Sequence, residues 1–231
     1  MIDTPRPTRL CVLDLDGTLA DTAPDLVAAL NKLLAEEGLP EANFDEARAF
    51  VGLGARVLIE RAHRAQGIDL ADADAIALTE RYVAHYASDI AGQTQLFAHV
   101  GDALDAMRKD GWRLAICTNK REALASQLLE TMNIADWFDA ICGGDTFAER
   151  KPNGQHILKT IAAAGGDPRH SVMIGDSPPD ILGAQNAKVP VIAVSFGYSN
   201  EPIEPLGPDV IIDSFADLQA QAERLVGTNH S

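Results

Sequence analysis

Short, largely apolar runs without alternation recur at Leu10–Leu13, Leu114–Cys117, Ser171–Ile174, Val189–Val194 and Val210–Ile212. Runs apolar on both faces suit strands of a parallel sheet covered by helices on each side, whereas a half-solvated strand would alternate. Amphipathic segments near 121–132, 153–164 and 178–187 separate the later runs. Strand alternating with helix predicts an α/β fold, doubly wound around a mainly parallel sheet.

About a hundred residues between the first and second runs hold no strand-like stretch, only helical patterns. The first opens near Thr22, has Pro24 in its first turn, carries Leu26, Val27, Leu30, Leu33 and Leu34 on one face, and stops at Gly38. Others follow near 45–50, 55–66 and 73–90, the second ending at Gly67. The pattern predicts a helical cap over 20–92, inserted after the first strand of a core formed by 1–19 and 93–231. A helix near 101–110, ending at Gly111, returns the chain to that core. There is no internal repeat.

The 231 residues, 46 % apolar and 23 % charged, suffice for a sizeable buried core without staples. The charge balance changes the picture more, because 19 Lys and Arg stand against 34 Asp and Glu, a net of −15. Such a surface repels nucleic acid, and a positive group inside a functional site must be placed there against the general field. Cys11, Cys117 and Cys142 are odd in number and lack Cys-x-x-Cys spacing, so neither a disulfide framework nor a zinc site is expected, only buried free thiols. No apolar stretch reaches the roughly 18 residues that span a bilayer, and no apolar signal region precedes Arg9. The expected location is the cytoplasm, as a monomer or homodimer without membrane or nucleic-acid partners. His63, His85, His99, His156 and His170 show no metal-ligand spacing.

Polar residues cluster just after three of the apolar runs: Asp14-Leu15-Asp16-Gly17-Thr18, Thr118-Asn119-Lys120, and Gly175-Asp176-Ser177 with Asp180 beyond. Ligands of open α/β sheets bind outside the carboxyl ends of the strands, so the three groups are expected to converge. A lone D-x-D-G-T string arises by chance in about one chain in several hundred; Asp72-Ala73-Asp74 has similar spacing but follows no apolar run and reads as a solvated helix start. Asp14, Asp16, Asp176 and Asp180 in one pocket need compensating cations. Lys151, followed by Pro152, is one candidate, and a hard divalent cation with oxygen ligands is the natural complement. A carboxylate can also take a phosphoryl group and pass it to water. Asp14 is placed for attack, Asp16 for proton transfer to the leaving oxygen, Gly17 for a sharp turn out of the strand, and the Thr118 hydroxyl for holding phosphate oxygens.

With these strings, with Leu19-Ala20-Asp21-Thr22-Ala23-Pro24-Asp25-Leu26 and with Arg150-Lys151-Pro152, the sequence resembles the haloacid dehalogenase (HAD) superfamily, closest to its phosphoglycolate phosphatases. Phe138-Asp139, Gly143-Gly144-Asp145 and Gly207-Pro208-Asp209 are further echoes. The resemblance covers nearly the whole core, and in the cap is limited mainly to Val51-Gly52-Leu53-Gly54. It implies a HAD-like Rossmannoid core and a phosphatase with Asp14 as nucleophile and Asp16 as general acid and base. It implies phosphate contacts from Thr118, Asn119 and Lys151, and Mg2+ held by the Asp14 carboxylate, the Asp16 carbonyl and Asp176. Thr18, Ser177 and Asp180 would support, Asp180 behind the metal or through Lys151. Two departures are Ala98-His99-Val100, where relatives often have Pro-Gly, and Lys151-Pro152-Asn153-Gly154, which lacks a frequent second proline.

The expected substrate is a small phosphomonoester with its own carboxylate, 2-phosphoglycolate first, with Gly52, Arg56 and Lys120 near the carboxylate. A dehalogenase would not need Asp16. A β-phosphoglucomutase-like phosphotransferase has similar core motifs, and a non-catalytic phospholigand sensor would be expected to lack the nucleophile or the acid.

Overall fold

The computed structural model describes residues 8–199 and 201–228. In chain order they form β1 (Leu10–Leu13), β2 (Ala20–Asp21), α1 (Ala23–Glu36), α2 (Phe44–Arg48), α3 (Ala55–Ala65), α4 (Asp72–Ser88) and β3 (Gln95–Leu96). There follow α5 (Val100–Lys109), β4 (Arg113–Cys117), α6 (Glu122–Thr131), β5 (Ala140–Cys142), α7 (Gly154–Ala163), β6 (Ser171–Gly175), α8 (Pro178–Ala187), β7 (Val191–Val194), β8 (Val210–Ile212) and α9 (Leu218–Thr228).

Six strands make one parallel sheet in the order β5-β4-β1-β6-β7-β8, so β1 lies inside it between β4 and β6. Its residues divide by pleat: Leu10 and Val12 join the apolar layer under α7 and α8, while Cys11 and Leu13 join the layer containing α5 and α9. Both layers are dry, which is why the run reads as continuously apolar. Full burial of each such leucine contributes roughly 1.5–3 kcal/mol. The doubly wound α/β architecture expected from the sequence is the one found.

Four helices, α1 to α4, fill the chain between β2 and β3 and pack against one another, and their apolar faces merge with the sheet-side core through Leu30, Leu58, Tyr82 and Tyr86. The sequence reading differs from the structure in three places. The stretch expected to hold no strand contains a two-residue antiparallel ladder, Ala20 opposite Leu96 and Asp21 opposite Gln95, because the chain leaving for the helices and the chain returning run side by side. β5, only three residues long, extends the sheet beyond β4. The closing helix α9 also falls outside the expected elements, although Leu218, Ala222 and Val226 form a buried stripe at four-residue spacing.

Asp25 ties the two connections together: its carboxylate accepts from the Gln93 amide (2.9 and 3.1 Å), the Thr94 amide (2.8 Å) and the Thr94 hydroxyl (2.7 Å). The three cysteines are buried and free, and burial pushes the Cys117 thiol up to about 12. Among the described residues no helix is long and apolar enough to cross a membrane.

Candidate active site

The strand order places the carboxyl ends of β4, β1 and β6 side by side. At the end of β1 the Asp14 amide still donates to the Ile174 carbonyl (2.9 Å), so the ladder holds Asp14 to the edge of the sheet. The chain then turns tightly. Gly17 has φ +81°, and a Cβ there would lie 2.6 Å from Asp176 Oδ2, so only glycine fits. The turn brings Asp16 back over the site, where its Oδ1 accepts from the Thr22 hydroxyl and from Lys120 Nζ, each at 2.6 Å.

From β4, the Thr118 amide donates to the Cys142 carbonyl (3.0 Å), and the Lys120 amide donates to Thr118 Oγ1 (3.1 Å). Asn119 Nδ2 donates to the Lys151 carbonyl (3.2 Å) and so ties the β4 loop to the loop before α7. From β6, Asp176 accepts at Oδ1 from the Thr18 hydroxyl (3.0 Å) and at Oδ2 from the Tyr198 amide (2.7 Å). Asp180, in the first turn of α8, accepts at Oδ2 from the Ser177 amide (3.1 Å) and hydroxyl (2.7 Å), which fixes the start of that helix. Its other oxygen accepts from Lys151 Nζ at 2.6 Å. Lys151 Nζ also lies 2.8 Å from Asp14 Oδ1, an ion pair whose angles fall outside hydrogen-bond geometry.

Asp14, Asp16, Asp176, Asp180 and Lys151 are thus gathered at one edge of the sheet, none more than 6 % exposed. Burial pushes the Asp14 carboxyl up, Lys151 pulls it down and Asp180 raises it again, leaving it at about 7. Asp176 is pushed up to about 8 by burial and then by Asp180 and Asp14. Burial alone would depress the Lys151 ammonium, but Asp14 and Asp180 outweigh it and hold its pKa above the ordinary lysine value. Lys120 is likewise raised, by Asp16 and Tyr86, against the effect of burial.

Four carboxylates against the two lysines, Lys151 and Lys120, still leave negative charge to be compensated. Asp14, Asp176 and Asp180 each offer an oxygen within 4.8 Å of the others, a hard all-oxygen donor set able to hold a metal ion. Both oxygens of Asp180 are already engaged by Lys151 and Ser177, so it is better suited to orienting Lys151 than to ligation.

A cavity of about 570 Å³ opens above Asp14, Asp16, Thr118 and Asn119 and is roofed by Gly52 and Arg56 of the helical block. Arg56 does not point a free charge into it, because its guanidinium is held by Glu60 (2.7 Å) and Asp72. Asp72 and Asp74 lie in the first turn of α4, the helix start expected for them, and Asp72 pairs with Arg56. Lys120 is held by Asp16, with its ammonium 4.6 Å from the Tyr86 ring centre.

Tyr198, not among the expected site residues, joins several of these parts. Its hydroxyl accepts from the Thr22 and Ala23 amides (2.6 and 2.9 Å), capping α1, and donates to Asp21 Oδ1 (2.7 Å). Arg48 of α2 lies over its ring at 4.8 Å and donates to the Gly197 carbonyl (3.1 Å). The phenylalanine, glycine and tyrosine after β7 are the only local signal, and they carry no motif of their own.

Residues 11–194 match the family model for haloacid dehalogenase-like hydrolases. The chain is 48 % identical over 225 residues to a phosphoglycolate phosphatase of Agrobacterium fabrum, covering 96 % of this chain and 97 % of that protein. It is 47 % identical to one from Caulobacter vibrioides, covering 89 % and 86 % respectively. The crystal structure of a predicted phosphoglycolate phosphatase from Haemophilus somnus superposes with a TM-score of 0.86 at 28 % identity, covering 94 % of this chain and 99 % of the other.

Proposed function

This chain belongs to the haloacid dehalogenase-like hydrolases and is a phosphatase, and from that premise we propose that it is a magnesium-dependent phosphomonoesterase working through a phosphorylated Asp14. The observation that carries the reading is the buried contact of Asp14 with Lys151, 2.8 Å apart, beneath a cavity and beside Asp176.

An oxygen of Asp14 attacks phosphorus, the bond to the ester oxygen breaks, and Asp16 gives that oxygen a proton. Water then attacks the same phosphorus, Asp16 takes a proton from it, and the Asp14 carboxylate leaves. Thr118, Asn119 and Lys151 hold the equatorial phosphoryl oxygens, which carry the developing charge. Asp14 and Asp176, with the Asp16 carbonyl, would hold Mg2+, which supplies charge compensation for the carboxylates and phosphoryl oxygens. Asp180 keeps Lys151 aimed at Asp14, while Gly17, Thr18 and Ser177 fix the two turns. The helices over 20–92 act as a cap that limits substrate size and water entry.

The substrate is 2-phosphoglycolate or a similarly small acidic phosphomonoester. Its support is the names of relatives up to 48 % identical and a cavity lined, in an otherwise acidic chain, by four cationic side chains. A screen of phosphorylated metabolites for phosphate release, with Mg2+ and after chelation, tests the reading. A kcat/KM for sugar phosphates or nucleotides tenfold above that for 2-phosphoglycolate would remove the substrate and leave the chemistry.

A further inference from the structure

Four cationic side chains line the cavity: Arg56, Lys120, Arg121 and Arg150. Three have carboxylate partners. Arg56 is held by Glu60 and Asp72, Lys120 by Asp16, and Arg121 pairs across the cleft with both oxygens of Glu80. The Arg150 guanidinium alone has no ion pair or hydrogen bond among the described residues, although Glu60, Glu80 and Asp145 line the same cavity. In a chain with 34 acidic residues against 19 basic ones, this exposed and unpaired cation on the lining of the cavity is available to a partner from outside.

The Arg150 backbone is well anchored. Its carbonyl accepts from the Asn153 amide (2.9 Å), and the next carbonyl, of Lys151, accepts from Asn119 Nδ2 (3.2 Å). Its stem therefore starts one residue from the ammonium that meets Asp14. We propose that Arg150 is the specificity-determining residue that receives the second anionic group of the substrate, a carboxylate on the carbon chain joined to the phosphate. This rests on the phosphatase reading above.

To receive a carboxylate, Arg56 must leave two acids and Lys120 must leave a buried 2.6 Å contact, so each gain is offset by a lost ion pair. Arg150 breaks nothing. A guanidinium also offers a planar fork that matches a carboxylate with two parallel bonds.

The test compares 2-phosphoglycolate with ethyl phosphate, which has the phosphoester but no carboxylate. In the wild type the kcat/KM ratio favours the acid. In Arg150→Gln that ratio falls about 10- to 100-fold, the range for a hydrogen bond to a charged group, and Arg150→Lys restores part of it. Calorimetry supplies a second readout: in Asp14→Asn protein, Arg150→Gln weakens binding of 2-phosphoglycolate and changes that of inorganic phosphate less. A wild-type preference that persists in Arg150→Gln, or that disappears instead in Arg56→Gln or Lys120→Met, overturns the inference and leaves the proposed substrate intact. A wild-type ratio near one overturns both.

Discussion

The Tyr198 amide donates to Asp176 Oδ2 at 2.7 Å while the hydroxyl of the same residue caps α1 at Thr22 and Ala23, so one residue, through its backbone and its side chain, joins the acidic cluster to the entry to the helical block. Glycine must precede it, because a Cβ on Gly197 would lie 2.1 Å from Asp176 Cβ. Gly197→Ala therefore displaces Asp176, and its apparent affinity for Mg2+ falls by about 10–100-fold, as when a metal ligand loses its supporting contacts. Calorimetric titration measures it, and an unchanged affinity would remove Tyr198 and Gly197 from the account of the metal site.

Tyr198→Phe keeps the ring under Arg48 but leaves the Thr22 and Ala23 amides without their acceptor. Denaturant unfolding is expected to show a loss of roughly 1–3 kcal/mol.

Lys151 is the buried cation between Asp14 and Asp180, so Lys151→Met leaves two carboxyls facing each other without it. At pH 8 the variant loses roughly 3–5 kcal/mol, the cost of breaking a buried pair. At pH 5 the loss is smaller, since the Asp14 carboxyl, raised by burial to about 7, then accepts a proton. Turnover falls by roughly 100- to 1,000-fold, as for a lost charge-stabilising donor. Equal destabilisation at the two pH values would contradict the charge argument.

Much of this arrangement is legible in the sequence because burial on both faces leaves a strand no polar residue until its end. Asp14, Thr118 and Asp176 stand out for that reason, each following an apolar run. Arg56 looks like a free cap cation until Asp72 arrives from the start of the next helix to hold it. Tyr198 is invisible because its partners, Thr22 and Asp176, lie 176 and 22 residues away, and no local period encodes such contacts. β2 and β3 are too short to show alternation, and only their mutual pairing makes them strands.

Burial raises Asp14 to about 7 and Asp176 to about 8, against an ordinary value of 3.8 that applies in the unfolded chain. The folded, metal-free protein binds these protons more tightly, so its stability falls as pH rises from about 4 towards 8. A divalent cation compensates the ionised carboxylates and displaces their protons. Saturating Mg2+ is therefore expected to raise Tm more at pH 8 than at pH 5, and chelation to abolish phosphate release. A Tm shift that is equal at both pH values, or larger at pH 5, counts against Asp14 and Asp176 as ligands.

In the proposed mechanism, Asp16→Asn keeps the nucleophile but removes the proton donor. Hydrolysis of 2-phosphoglycolate, with its poor leaving group, is expected to fall by about 100- to 10,000-fold, and formation of the phosphoenzyme from p-nitrophenyl phosphate by much less. Steady-state rates on the first and acid-quenched burst amplitudes on the second separate the two steps, and equal losses would remove Asp16 from leaving-group protonation.

The central claim is the covalent one, that the phosphoryl group passes through Asp14. Rapid acid quench during turnover, followed by borohydride reduction and peptide mass mapping, reads it directly. Reduction of an acyl phosphate turns that aspartate alone into homoserine. The account predicts homoserine at position 14 in the wild type and none in Asp14→Asn, whose turnover drops by several orders of magnitude. Homoserine at another aspartate, or near-normal turnover in Asp14→Asn, would contradict it.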